Sequence, residues 1–242
     1  MPRHYVRFSL KEANLRICSD QYPLVCREVV RLREVLERYI ERQPGFRTSL
    51  VPLELLDDAP EICRRMARAA HPCGVGPMAA VAGAVAHLCA EAALAAGARE
   101  AIIENGGDIF IASPRRVVIG LYAGNHPLSG RLALAIPPER LPLSVCSSSG
   151  RFGHSTSFGD CDLATIVARD GALADAAATL AANAVKTEED VEPALERVMA
   201  VPGIEAVLIV KGSKVGVAGD LPELLRAEDP KFAGKACHVV EE

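Results

Sequence analysis

Eleven of the 21 residues from position 78 to position 98 are alanine. A helix built from them has almost no side-chain girth, so neighbouring backbones can approach it closely. It also carries too little apolar volume to make a core alone, and other elements must enclose it. Its composition comes near that of a membrane span, which needs about twenty predominantly apolar residues with few or no charges. His87 and Glu91 fall inside it, so residues 76–98 read as a buried core helix and no membrane partner is expected. A second Ala-rich helix is expected over 173–185.

The rest of the chain supplies the enclosing elements. Over residues 4–18, Val6, Phe8 and Leu10 alternate with Tyr5, Arg7 and Ser9, which predicts a strand pair around a turn at 11–14. Val25, Val29, Leu32, Leu36 and Tyr39 recur at three- and four-residue steps, giving a helix over 22–43 with one inward stripe, ended by Pro44-Gly45. A shorter helix is expected over 60–70 with Pro60 in its first turn. Short β-branched runs at 101–103, 109–111 and 117–119, with 132–136, are divided by turn residues and form a sheet. Residues 163–168 add a strand, 191–199 an amphipathic helix, and 206–210 with 215–218 a hairpin across Gly212-Ser213. The tail from 223 to 242 is polar and reads as peripheral.

Charge narrows the function classes. The 27 Lys+Arg and 31 Asp+Glu leave a formal net charge of −4, so no broad cationic surface exists to neutralise a phosphate backbone, and nucleic acid is not an expected partner. The first fifty residues hold 10 basic and 6 acidic side chains, interleaved as on a solvated helix face. Charges also break the first twenty residues, where a signal peptide would need an apolar run, and a cytoplasmic location is expected. None of the eight cysteines forms a Cys-x-x-Cys pair. They read as reduced, mostly buried small hydrophobes with a few exposed thiols.

Four clusters could carry chemistry. Glu104-Asn105-Gly106-Gly107-Asp108 lies between two strands. Such a sequence makes a tight hairpin turn, and it also lets a ligand touch bare backbone at Gly106 and Gly107 beside the Asn105 amide and the Asp108 carboxylate. In the second Ala-rich helix, Asp175, Thr179 and Asn183 are spaced i, i+4, i+8 and form a polar row on an apolar surface. Oxygen ligands on one helix face suit Mg²⁺; the alternative is a solvated or locally bonded Asp. The stretch 146–162 is Ser- and Gly-rich without a period. Ser147, Ser148, Ser149, Gly150 and Ser157 offer hydroxyls and N–H groups for an anion cradle, and His154 is a candidate proton shuttle, against the alternative of a plain solvated loop. Finally, Gly74-Val75-Gly76-Pro77 could present N–H groups to an anion or make a tight entry into the buried helix.

Taken in order over 74–218, these segments resemble the ApbE-like superfamily. Its best-known members are FAD:protein FMN transferases, which use Mg²⁺ to move FMN onto a protein threonine. The family has a small-residue helix, then Asn-Gly-Gly-Asp, Thr-Ser-Gly, a histidine, and Ala-Asp-Ala-x-x-Thr. The counterparts here are Asn105 to Asp108, Ser148-Ser149-Gly150, His154, and Ala174 to Thr179. The wording Ser-Ser-Gly-x-x-Gly-His-Ser-x-Ser-Phe-Gly looks like an uncharacterised cytosolic branch of the superfamily, and there the resemblance covers nearly the whole chain. The chain departs from the transferases at Ala82 and His87, which stand where they carry Lys and Asp.

The resemblance implies an α+β fold, a single domain over 1–242 in which a mainly antiparallel sheet packs with Ala-rich helices. Residues 1–50 would add a hairpin and an amphipathic helix. It implies catalytic His154, metal ligands Asp175 and Thr179, and a cofactor site at Asn105, Gly106, Gly107, Asp108, Ser147, Ser148, Ser149, Gly150 and Ser157. Mg with FAD or FMN is the implied cofactor set, and a homo-oligomer is an open expectation. Two functions compete: a Mg-dependent transferase or hydrolase acting on a flavin or other phosphate-bearing small molecule, and a non-catalytic flavin or nucleotide binder that kept the cleft.

Overall fold

The computed structural model describes residues 3–150, 159–226 and 237–239. The N-terminal alternation becomes β1 (Val6–Leu10) and β2 (Ala13–Cys18), paired antiparallel with Val6 opposite Ile17. Helix α1 (Tyr22–Arg42) buries the expected stripe of Val25, Val29, Leu32, Leu36 and Tyr39. A single turn, α2 (Gly45–Thr48), sets Phe46 edge-on against Tyr39. Helix α3 (Glu61–Cys73) runs past the expected end at 70, and Pro60 sits just before it in extended backbone instead of in its first turn. Gly74 ends it in a left-handed conformation, φ +66°, which glycine adopts without steric cost. A 3-10 turn (Pro77–Ala80) then leads into α4 (Val81–Ala95). A Cβ on Gly76 would collide with the Ser49 carbonyl, so the Gly74 to Pro77 segment is a tight entry into the buried helix.

The sheet strands follow: β3 (Ala101–Asn105), β4 (Asp108–Ala112), β5 (Val117–Leu121), β6 (Leu132–Ile136), β7 (Leu143–Ser148) and β8 (Leu163–Ala168). After them come α5 (Gly171–Ala184), α6 (Val191–Met199), β9 (Ile204–Lys211), β10 (Lys214–Gly219), β11 (Glu223–Arg226) and β12 (Cys237–Val239). Eight strands form one sheet in the order β1-β2-β3-β4-β7-β8-β9-β10, and four form a second in the order β11-β6-β5-β12. Every pairing is antiparallel. The fold is α+β, as expected.

Alternation along the central strands makes two cores. On β4, Phe110 and Ala112 join the helical side while Ile109 and Ile111 join the side facing the second sheet. On β9, Val207 and Ile209 face the helices, and Leu208 and Val210 face the second sheet. The large sheet is therefore covered on both faces, which is why its central strands read as continuous apolar runs. The two Ala-rich helices lie directly on it, α4 on β3 and β4 and α5 on β7 and β8, and α1 and α3 cover them from outside. Pro77–Ala95 has a mean hydropathy of 1.6, in the range of a membrane span. Here Gly83, Ala84, Ala86, Cys89, Ala90 and Ala93 are buried against the sheet and neighbouring helices, Val81, Val85 and Leu88 are partly covered, and the thin profile lets four layers stack with backbone close to backbone.

Two expectations are corrected. Cys146, Ser147 and Ser148 are not loop: they are the end of β7, with Cys146 opposite Asp108 and Ser148 opposite Ala164. Their small polar side chains hide a strand whose two neighbours hold it. The segment 223–242 is not merely peripheral either. Its described parts are β11, on the edge strand β6, and β12, on β5, with Val239 fully buried. β11 is exposed or partly exposed along its whole length, as a peripheral segment would be, and Val239 on β12 is what ties the tail into the core.

Candidate functional site

The Gly106-Gly107 turn joins β3 to β4 with Asn105 opposite Asp108. Gly106 takes φ +72° and donates its N–H to the Asn14 carbonyl at 3.3 Å. The Gly107 carbonyl accepts from Ser147 N–H at 3.2 Å, and Asn105 Nδ2 donates to the Ala82 carbonyl at 3.3 Å. The turn is thus a true hairpin, and it is also pinned to the first turn of α4.

Helices α4 and α5 touch there through glycine. A Cβ on Gly83 would overlap the Gly171 carbonyl and come within 2.8 Å of Asp175 Cβ. With hydrogen in that place, Gly83 N–H donates to Asp175 Oδ2 at 2.9 Å. The carboxylate thus reaches across to the first turn of α4, while the residue stays partly exposed. Gly83 is the only glycine in α4, the one local sign that this helix face meets another backbone.

Two carboxylates meet in consequence. Burial pushes Asp108 well above the usual carboxylate range, and the nearby Asp175 charge adds to the rise; the Cys146 thiol and the Ser147 N–H hold it back in part. Burial pushes Asp175 up to about 7, opposed by the backbone N–H groups of Gly83 and Ala82. Asp108 Oδ1 is buried with no hydrogen-bond partner among the described residues. Such an orphan is costly in a dry interior unless a proton or a cation serves it. Thr179, one turn beyond Asp175 and 8% exposed, is in the same row. A hard divalent cation takes oxygen donors and needs only one or two carboxylates, the rest being water or substrate oxygen. The residues present fit that demand: Asp108, Asp175 and the Thr179 hydroxyl would hold the ion. Among the described residues no group of three or more His, Cys, Asp or Glu forms a closed metal cage.

The serines are placed differently from a free cradle. Ser147 Oγ pairs with Thr165 Oγ1 at 2.8 Å, and Ser149 Oγ donates to the Cys161 carbonyl at 3.3 Å. Gly150 N–H bonds the same carbonyl at 2.9 Å, and a Cβ on Gly150 would collide with the Gly159 carbonyl. These residues brace the base of the segment that follows β7. His154 and Ser157 lie outside the described residues.

Three features were not legible beforehand. His87 is a packing histidine. Its ring stacks on Phe110 with centroids 4.0 Å apart, Nδ1 accepts from Gly171 N–H at 3.2 Å, and Nε2 lies 3.3 Å from Glu91. Cys146, beside Asp108, donates its thiol to the Gly171 carbonyl at 3.6 Å. Arg16 and Glu104 form an ion pair at 3.0 Å with both side chains almost wholly buried, and Arg16 also lies 4.4 Å over the Tyr5 ring. Of the seven described cysteines, six are buried and Cys26 is half-buried, so the expected exposed thiols are absent among them.

Comparison with known proteins adds the lineage. A UPF0280 protein of Methanospirillum hungatei is 42% identical over 232 residues, covering 95% of this chain and 92% of that one. One from Methanocella arvoryzae is 39% identical over 227 residues, covering 93% and 92%. The apo flavinyl transferase ApbE of Pseudomonas stutzeri shares the fold with a TM-score of 0.55 at 11% identity, over 90% of this chain and 95% of that one. The ApbE protein of Thermotoga maritima does so with a TM-score of 0.52 at 13% identity, over 93% and 97%. The family profile described as AbpE bacteria matches residues 2–206. The chain belongs to that family and, with it, to the ApbE-like superfamily.

Proposed function

We propose that the chain binds a flavin or related phosphate-bearing small molecule, bridged by Mg²⁺ to the carboxylates at the β3–β4 turn. The observation that carries this reading is the Asp108–Asp175 pair, with one buried oxygen left without a partner among the described residues. A cation there would neutralise both charges and offer its open positions to phosphate oxygens, while the bare backbone of Gly106 and Gly107 leaves room beside it. The flavinyl transferase named among the structural relatives supports a flavin as the first ligand class to try. His154, four residues beyond Gly150 in the sequence, is our candidate base for a hydroxyl nucleophile. Seven free thiols among the described residues support a reducing, cytoplasmic setting.

A second reading has its own observation. At the positions where the transferases carry Lys and Asp, Ala82 offers only a methyl and His87 is engaged in packing. This favours a binder that retains the cleft without FMN transfer. One experiment separates the readings. FMN, FAD and ADP are titrated with and without Mg²⁺ while the thermal midpoint is followed, because a ligand held only by the folded state raises it by mass action. A Mg²⁺-dependent rise that is lost in Asp175→Asn is expected. A rise with no covalent flavin on a threonine peptide selects the binder, and no rise with any ligand refutes both.

A further inference from the structure

A cavity of about 480 Å³ lies at the opposite end of β3 and β4 from the carboxylate pair, between the end of β2, the start of α1 and the 113–115 turn. Three arginines (Arg3, Arg99, Arg115) line it against two carboxylates, Asp20 and Glu100, so one positive charge is left over. Arg3 is the built part. Its side chain is 8% exposed, its Nε donates to Glu100 at 2.9 Å, and its Nη2 serves Ser113 Oγ and the carbonyls of Arg115 and Arg116. Nη1 carries no hydrogen bond to any described residue. Arg99 is exposed and likewise bonds to none of them. Glu100 is saturated by Arg3, Ser113, Arg115 and Cys18, and cannot neutralise Arg99.

The other wall points the same way. Helix α1 is 21 residues long, has no acidic residue in its first turn and no side-chain cap on Gln21, and Ser19, Asp20 and Tyr22 at its start line the cavity. The positive end of its dipole adds to the arginine field, although the Gln21 N–H is held by Ser19 Oγ and the Leu24 N–H by the Gln21 carbonyl. Tyr22, 43% exposed, and Pro114 give the cavity an apolar and aromatic side. Its volume is that of a small-molecule pocket, in the range of about 300–1,000 Å³.

We propose that this cavity is a second ligand site, separate from the Asp108–Asp175 end, and that it takes a phosphate monoester carried on an aromatic or apolar body. The phosphate sits on Arg99 and the free nitrogen of Arg3, which match it as planar donors, and the body lies along Tyr22 and Pro114. The test is calorimetric titration of phenyl phosphate, inorganic phosphate and benzoate in EDTA, where no metal bridge can form at the other site. Arg99→Ala is the informative variant, since Arg99 holds nothing in place. Phenyl phosphate is expected to bind saturably and more tightly than inorganic phosphate, and to lose about tenfold in affinity in Arg99→Ala, the worth of one charge-assisted hydrogen bond. Tyr22→Ala is expected to reduce phenyl phosphate to the level of inorganic phosphate. No saturable binding, or binding untouched by Arg99→Ala, overturns the site. Benzoate binding as well as phenyl phosphate overturns the phosphate assignment, and an unaltered preference in Tyr22→Ala overturns the aromatic wall.

Discussion

Replacing Asp175 with asparagine should change how the metal-free protein responds to pH. The folded chain holds a proton on Asp175 that the unfolded chain gives up near the ordinary carboxylate value of 3.8, because burial pushes the folded group up to about 7. A raised carboxylate contributes stability in full below the unfolded value and loses it as pH climbs through the folded one. The rise from 3.8 to about 7, at about 1.4 kcal/mol per tenfold in proton affinity, sets a ceiling of about 4 kcal/mol. Solvent reaching the half-buried side chain screens part of that, so a loss of about 2–3 kcal/mol between pH 4 and pH 8 is the working expectation. Asparagine keeps an oxygen for the Gly83 N–H and carries no proton to lose. Urea unfolding in EDTA across that range, on the protein and on Asp175→Asn, reads the buried pair as a unit, because the variant also relieves Asp108 of the Asp175 charge. The wild-type curve should fall relative to the variant as pH rises. Adding Mg²⁺ at pH 8 should restore the wild type selectively. Parallel pH profiles for the two proteins would refute the buried-pair argument.

Other perturbations test the frame that holds the pair. Glu104→Ala leaves the Arg16 guanidinium buried without its carboxylate and should cost about 3–5 kcal/mol in denaturant unfolding. Gly83→Ala drives a methyl into the Gly171 carbonyl and should cost about 1–3 kcal/mol, with Mg²⁺ affinity falling as the helices part. Burial pushes the thiols of Cys63, Cys73 and Cys161 up to about 12. In the native protein a thiol reagent near neutral pH should therefore modify Cys26 first and these three only on unfolding, as peptide mapping would read.

What the sequence by itself determined is what short-range periodicity controls. The β1–β2 hairpin, the α1 stripe, the Asn105 to Asp108 turn, strand β8 and helix α6 follow from alternation, from three- and four-residue spacing and from glycine at a positive φ. The Ala-rich stretches dictated thin, enclosed helices, and the order of weak motifs pointed to the superfamily. Position along the chain could also place Asp175 and Thr179 on one helix face.

Only the tertiary structure decided what that face looks at. Asp108 and Asp175 are far apart in sequence, and their proximity depends on Gly83 letting α5 meet α4 at backbone distance, a long-range fact with no periodic signature. The same holds for Ser147, whose hydroxyl is taken by Thr165 across a strand pair, and for His87, which the Phe110 ring and the Gly171 N–H turn into a packing residue. The cavity lined by Arg3, Arg99 and Arg115 draws on the N-terminus, the start of α1 and two strand ends at once. Local pattern fixes which side of an element is apolar; the physical role of a polar group depends on which distant partner folding brings within about 3 Å of it.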